Sequence, residues 1–266
     1  MSSAEESRQS ELDGAVDALD RTPQTSAELF AVVDVLDEQA SLRRALTDPG
    51  SSVEARRQLA GQLFGGRVGA STASIINEAI SLRWHSGRSL SDALERQAVR
   101  TALAGALKDN LLDAVIEELS AVKSAVDSEG ELREALRDPN YPISARQQLV
   151  EKLTAGRVTP VTAQLLARAV AARQRTFALT LDAYLRLAAD QRQRKIARVR
   201  VARPLADDQA ARLRAALIRQ VGHDVDLQVQ IDPDVLGGIS VQFGDEVIDD
   251  TVAARLDDAR RHLINS

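Results

Sequence analysis

The sequence has no cysteine. That excludes disulfides, cysteine-ligated zinc and thiol catalysis, and it permits a reducing compartment. Aromatic residues make up 3% of the chain, so a core has to be built from Leu, Val, Ile and Ala, which favours closely packed helices. No apolar run approaches the ~20 residues that cross a bilayer; the best candidate, LFAVVDVL, is interrupted by Asp34. The opening stretch MSSAEESRQSELDG is polar and acidic, unlike a secretory signal. Charge of one sign is also missing. Up to Arg194 the chain carries 24 basic and 27 acidic residues, and from Lys195 onward 10 and 12. Neither part has the cationic surplus of a module that neutralises phosphates.

What is present is a repetition. The stretch SLRRALTDPGSSVEARRQLAGQLFGGRV begins at Ser41, and ELREALRDPNYPISARQQLVEKLTAGRV begins at Glu131. The offset of 90 holds without a gap from Glu28/Glu118 to Ala98/Ala188, and 27 of those 71 positions are identical. Such a match implies two copies of one structural unit, a pair of small bundles rather than a solenoid. With 44% hydrophobic and 27% charged residues, the 266-residue chain is globular in composition and long enough for two or three small domains.

Each copy parses into helices. The first long one is expected over Ser26–Leu46 and Leu112–Leu136. Its apolar stripes are Leu29, Val32, Val33 and Leu36, and then Leu119, Val122 and Val126. Asp48-Pro49 and Asp138-Pro139 end it, because a residue before proline leaves the α region. Ser51-Ser52-Val53-Glu54 reads as a capping box opening the next helix, and Pro142 as a first-turn proline. Ala55, Leu59 and Leu63 are expected on its buried face, matched by Ala145, Leu149 and Leu153. Gly66 and Gly156 fall where a left-handed C-terminal cap belongs. Thr159-Pro160 opens a helix ending near Arg173, and another runs from about Leu179 to Arg194. Its first-copy counterpart starts near Leu90 and continues into, or lies next to, VRTALAGALKDN.

After Arg194 the pattern changes. In KIARVRVARPL, Ile196, Val199 and Val201 are apolar and Arg198, Arg200 and Arg203 charged, and from Val199 onward the period is two, a half-buried strand. ADDQAARLRAALIRQVG is a helix with Gly222 past its end. DVDLQVQID places Val225, Leu227, Val229 and Ile231 on one face, and Pro233 ends it. GGISVQF and EVID read as strands joined at Gly244-Asp245, and TVAARLDDARRHLI as a closing amphipathic helix. The expected fold is therefore mainly α: two tandem helical-bundle repeats, 1–98 and 99–194, followed by a small α/β C-terminal domain, 195–266.

Chemistry-bearing clusters are sparse. Gly237-Gly238 lacks the spacing and the lysine of a phosphate loop and reads as a turn or bulge. His85, His223 and His262 are scattered and lack ligand spacing. Asp207-Asp208, Asp249-Asp250 and Asp257-Asp258 read as solvated or helix-start carboxylates, with no nucleophile or electrophile beside them. The run Arg186, Arg192, Arg194, Lys195, Arg198, Arg200, Arg203 straddles a helix end and a strand. It reads first as a solvated face, then as a contact for an acidic partner, and last as a nucleic-acid site, since it has no interleaved aromatics. Trp84 reads as core, with an interface anchor as the other possibility.

VARPLADDQAARLRAAL and DVDLQVQIDPDVLGGISVQFGDEVIDDTVAARLDDARRHL resemble the C-terminal signature of the delta subunit of F-type ATP synthase. The mitochondrial counterpart of that family is the oligomycin-sensitivity-conferring protein. The match is an alternating strand, then Asp232-Pro233, Gly237-Gly238-Ile239, Gly244-Asp245, Val247-Ile248-Asp249 and a helix with Arg255-Leu256. Upstream, TALAGALKDNLLDAVIEELSAV through Arg194 is similar to the family's helical N-terminal domain. Asp250-Thr251 stands where the family often has Gly-Ser, and most delta subunits have one helical copy; the duplicated form resembles that of actinobacteria. The resemblance implies a stator subunit with no catalysis, cofactor or metal, and with a structural role for the signature residues. It implies a helical domain holding N-terminal helices of the alpha subunits and a C-terminal domain holding the b-type stalk subunit. It also implies a peripheral place on the cytoplasmic face of the cell membrane, without membrane insertion and without nucleic acid. The rival reading of the residues alone is a free-standing helical adaptor or nucleic-acid-binding regulator.

Overall fold

A computed structural model describes residues 3–17, 19, 21–171, 176–193, 196–221, 225–232, 239–243 and 246–249. The chain divides into two compact units, Met1–Gly105 and Ala106–Ser266. Six helices come first: α1 (Ser3–Asp17), α2 (Pro23–Glu38), α3 (Ala40–Thr47), α4 (Val53–Phe64), α5 (Ala70–Ser81) and α6 (Gly87–Lys108). Five follow: α7 (Leu112–Ser128), α8 (Gly130–Arg137), α9 (Ile143–Thr154), α10 (Pro160–Val170) and α11 (Phe177–Gln193). The bounds of α3/α8 and α4/α9 coincide after the shift of 90, as do the starts of α5/α10 and α6/α11. The repetition in sequence is therefore a repetition in structure.

Leu29, Val32, Val33 and Leu36 are buried as the stripe requires, and Leu119 and Val126 likewise. The long helix expected in each copy is two helices. It breaks at Gln39 (φ −118°, ψ 84°) and at Glu129 (φ −103°, ψ 103°). The break stands because a repeated arginine holds the exposed carbonyls of the upstream helix. Arg43 Nη1 donates to Asp37 O at 2.8 Å, and Arg133 Nη1 to Asp127 O at 2.9 Å. A second repeated arginine closes the next end, with Arg56 Nη1 donating to Asp48 O at 3.2 Å and Arg146 Nη1 to Leu136 O at 3.1 Å.

Other helix ends follow local chemistry. Ser52, not Ser51, caps α4, accepting from the Ala55 amide at 3.1 Å; Ser51 turns back and donates to Asp48 Oδ2 at 2.8 Å. Pro142 is the N-cap of α9, one residue earlier than expected. Thr22 and Thr25 form the reciprocal capping box, at the start of α2. Gly66 (φ +73°) and Gly156 (φ +69°) take the left-handed conformation expected of them. Asn110 (φ +57°) does the same after α6, where Leu111 N donates to Ala106 O at 2.7 Å in a Schellman arrangement. The most buried positions of α4 are Arg56, Ala60 and Phe64, and of α9 Val150 and Thr154. The expected Ala55/Leu59/Leu63 face lies one residue off this stripe; Ala55 is exposed and the two leucines are half-buried.

The last elements among the described residues are β1 (Ile196–Val201), α12 (Asp207–Val221), β2 (Asp226–Ile231), β3 (Ile239–Phe243) and β4 (Glu246–Asp249). The sheet runs in the order β2-β1-β3-β4. β1 pairs parallel with β2 through the α12 crossover and antiparallel with β3; β3 and β4 pair antiparallel. Ala197, Val199 and Val201 alternate inward and pack with Val241, Val225 and Leu217 of α12. Arg198 and Arg200 alternate outward, opposite Gln228 and Gln230. The alternation expected of β1 holds from Val199 onward, with Ala197 rather than Ile196 on the inner face; on the face expected of β2, Val225 is buried and Leu227 half-buried, but Val229 and Ile231 are exposed.

A repeated glutamate ties the first helix of the repeat to a distant helix start. Glu28 Oε2 accepts from the Gly69 amide at 2.8 Å and the Thr72 hydroxyl at 2.6 Å, where α5 begins. Glu118 accepts from the Thr159 amide at 2.9 Å and its hydroxyl at 2.9 Å, where α10 begins. The Thr72 hydroxyl, then the Gly69 amide, and to a lesser degree Gln24 hold the Glu28 carboxyl below the ordinary glutamate range, against the opposing effect of burial. A depressed folded-state pKa stabilises the fold above the unfolded value, about 4.3, and that contribution is lost as the pH falls through the folded value. Glu28→Gln should therefore lower the thermal midpoint at pH 7 by about 1–4 °C, from about 0.3–1 kcal/mol of charge at a helix start. The gap from the parent should close below about pH 4.3, read by circular dichroism melts between pH 7 and 3.

Candidate functional site

Among the described residues, the groups that could have carried catalysis form no cluster. His85 is exposed after α5, and His223 and His262 lie outside the described residues. Asp207 and Asp208 open α12, where Arg212 donates to Asp208. Asp250, Asp257 and Asp258 lie outside the described residues. Among the described residues, no group of three or more His, Cys, Asp or Glu could hold a metal ion. No described helix is long and apolar enough to cross a membrane.

The signature residues divide the same way. Asp232 closes β2: its amide donates to Val201 O at 2.9 Å, and its Oδ2 lies 3.4 Å from Arg200 Nη1. The aspartate thereby joins the ends of β1 and β2. Ile248 and Asp249 lie in β4, paired with Val241 and Ser240 of β3. Pro233, Gly237, Gly238, Gly244, Asp245, Arg255 and Leu256 lie outside the described residues.

The basic run does not act as one unit. Arg192 Nε lies 3.1 Å from Asp113 of α7, and Arg200 is paired with Asp232. Arg186, Arg198 and Arg203 are exposed; Arg194 and Lys195 lie outside the described residues. On the same pair of helices, Lys123 of α7 reaches Asp127 at 2.8 Å and Asp182 of α11 at 3.5 Å. Chiefly through Asp127, these carboxylates hold the ammonium above the ordinary lysine value. Trp84 is buried, as read from the sequence, and its Nε1 donates to Ala79 O at 2.6 Å.

What remains as a contact surface is apolar. Tyr141 (53% exposed), Ile143 (43%) and Leu153 (49%) lie on or beside α9, Leu179 (52%) on α11, and Val229 and Ile231 on the edge strand β2. The first copy has Ser51, Val53, Leu63 and Ser89 at the four helical positions, none of them an exposed large apolar residue. At these positions the scaffold is repeated but the exposed apolar side chains are not; the first copy exposes Val35 of α2 (38%) instead, where the second has Ala125. An apolar side chain left in water on a packed helix suits a partner helix laid against it. Reading the sequence missed α1, whose residues share almost nothing with 93–107, and it missed the roles of Glu28, Arg43 and Arg56. A signal for the latter was available: each is a charged identity between the copies.

A family model described as ATP synthase delta (OSCP) subunit matches residues 100–263. The chain is 42% identical over 236 residues to an ATP synthase subunit delta of Cutibacterium acnes, covering 89% of this chain and 90% of that protein. It is 42% identical over 241 residues to that of Streptomyces avermitilis, covering 90% and 88%. It is 36% identical over 253 residues to that of a Nocardioides species, covering 95% and 92%. These matches run well into the first copy, which the family model does not include. A chain of the Toxoplasma gondii mitochondrial ATP synthase hexamer covers 62% of this chain with a TM-score of 0.32 at 23% identity, too loose an overlap to carry weight.

Serine at the exposed positions should separate surface from core. Ile143→Ser, Leu153→Ser and Leu179→Ser should each change the unfolding free energy by no more than about 0.5 kcal/mol. Leu119→Ala and Leu165→Ala, both fully buried, should cost about 2–5 kcal/mol each. Urea titrations followed by circular dichroism give both sets of values.

Proposed function

The chain belongs to the ATP synthase delta (OSCP) subunit family, and from that premise we propose that it is a stator element of the F-type, proton-translocating enzyme. It catalyses nothing itself. It joins the catalytic head to the peripheral stalk and resists the torque that would spin the head with the rotor. The second bundle grips N-terminal helices of alpha subunits, the C-terminal α/β part grips the b-type stalk subunit, and the work is done on the cytoplasmic face of the membrane. The three working parts are 1–98, 99–194 and 195–266.

The observation that carries this reading is a coincidence of spans. The family match over residues 100–263 contains Tyr141, Ile143, Leu153, Leu179, Val229 and Ile231. Two separate exposed apolar sets, one helical and one at a sheet edge, fit a molecule that holds two different polypeptides. Helix-in-groove contact gives slow dissociation without any reactive group, because off-rates carry most differences in affinity.

The test is reconstitution with purified alpha and b-type subunits and with membranes stripped of this chain. The parent chain should retain both subunits and restore proton-coupled ATP synthesis. Ile143→Ser with Leu179→Ser should weaken capture of alpha by about tenfold or more, as loss of buried apolar anchors does, and leave capture of the b-type subunit unchanged. Val229→Ser with Ile231→Ser should do the reverse. A chain that captures neither subunit, or that binds a polynucleotide with a steep salt dependence, would sink the proposal.

A further inference from the structure

α1 brings little apolar surface to the first unit; Leu12 and Val16 are its buried apolar side chains among the described residues. Its attachment to α6 is polar. Asp13 Oδ2 accepts from Arg96 Nη2 at 2.7 Å and Oδ1 from Gln97 Nε2 at 2.6 Å, with Arg100 Nη1 3.0 Å from Oδ1. Asp17 accepts from Arg100 Nη2 through both oxygens, at 3.1 and 3.0 Å, and pairs with Arg21 at 2.9 Å. Gln97 Oε1 accepts from Arg100 Nη1 at 2.8 Å. Gln97 is fully buried and Arg100 is 2% exposed. Towards the other end of α1, the Ser89 hydroxyl donates to Glu5 Oε1 at 3.0 Å.

The repeat supplies a competitor. α11 is the counterpart of α6, and Asp92, Ala93, Arg96 and Ala98 recur in it as Asp182, Ala183, Arg186 and Ala188. The cluster does not recur: Gln97 becomes Leu187 and Arg100 becomes Asp190. Laid on α11 in the same register, α1 would keep an arginine, Arg186, opposite Asp13, but it would lose the glutamine and the second arginine there and set Asp17 against a carboxylate. A buried charge without its partner is strongly destabilising, even where the satisfied pair adds little net stability. Such groups discriminate between packings that apolar side chains cannot tell apart.

We infer that Asp13 and Asp17 with Gln97 and Arg100 form a pairing code that commits α1 to α6 and bars it from α11, in its own chain or in a neighbouring one; Arg96 adds hold but not choice, since Arg186 repeats it. The code keeps two similar bundles from exchanging a helix.

Because the chain has no cysteine, introduced thiols report cleanly. Glu5→Cys with Ser89→Cys reports α1 on α6, and Glu5→Cys with Leu179→Cys reports α1 on α11. With the cluster intact, a short bismaleimide should join 5 to 89 and give about a tenth or less as much 5–179 product. Asp13→Asn with Asp17→Asn should lower the 5–89 yield at least about fivefold. Reversing the ions together, with Asp13→Arg, Asp17→Arg, Arg96→Asp and Arg100→Asp, should restore the yield to within about twofold. Leu187→Gln with Asp190→Arg, added to the neutralised α6 variant Arg96→Leu/Arg100→Leu, should raise the 5–179 product at least about fivefold. An unchanged yield on neutralisation, or no recovery on reversal, overturns the pairing; a recoded α11 that gains no product overturns the exclusion.

Discussion

A bundle of short helices is dominated by its helix ends. Each end leaves four backbone groups without an intrahelical partner, and helices of 8 to 12 residues, such as α3, α4, α5, α8 and α9, spend much of their length within a turn or two of an end. At the surface water can serve those groups. Where one helix stops against another, a side chain has to do it. Here the side chains that do so are charged and long-reaching: Glu28 and Glu118 on the amides of α5 and α10, Arg43 and Arg133 on carbonyls of α2 and α7, Arg56 and Arg146 on carbonyls at the ends of α3 and α8. The same six residues are identities between the copies. Some buried apolar positions have drifted, with Phe64 opposite Thr154 and Ile75 opposite Leu165, while others such as Leu29/Leu119 and Leu46/Leu136 are kept. The difference follows from the forces. Apolar burial is non-directional and tolerates exchange at similar volume, whereas a hydrogen bond to a fixed carbonyl requires a donor of one length at one place.

Once the ends are fixed, the two copies are free to diverge in what they bury and what they show. The first copy buries Ser26, Ser91, Gln97 and Arg100, where the second has Ile116, Leu181, Leu187 and Asp190. The second copy shows Tyr141, Ile143 and Leu179, where the first has Ser51, Val53 and Ser89. Polar groups inside give a specific packing at little net stability. Apolar groups outside give adhesion at the expense of solubility. The divergence runs both ways, since the second copy buries Thr154, Arg168 and Thr180 where the first has Phe64, Glu78 and Leu90.

The sequence made the repetition legible because an ungapped offset of 90 needs no structural knowledge to see. It made β1 and β2 legible because period two is hard to mistake where Val199, Val201, Leu227 and Val229 alternate with Arg and Gln. The break at Gln39 was not legible: no proline or glycine marks it, and the residue that stabilises it, Arg43, acts from the next helix. Nor was α1 legible. Its apolar stripe is only Leu12 and Val16, and it is held by Arg96 and Arg100, more than 80 residues away in sequence. The apolar contact surface was hidden for a different reason. Leu153 and Leu149 are both leucines at helical spacing, and only the packed structure says that the first stands in solvent at 49% exposure.

These facts bear on how a stator would carry load. A chain gripped at two places by other polypeptides is pulled along the line between the grips. Apolar contacts resist separation but not sliding, since their free energy depends on area and hardly on direction. Ties at helix ends resist sliding, because a hydrogen bond weakens steeply as its angle departs from linear. A stack of short helices, several of them pinned at one end to a neighbour by a charged side chain, converts a sliding load into strain on directional bonds. Two long helices with the same apolar area would lack those pins. On this reasoning the feature that makes the fold suit a mechanical role is the number of its helix ends, and the copied glutamates and arginines are what turn six of those ends from a liability into a fastening.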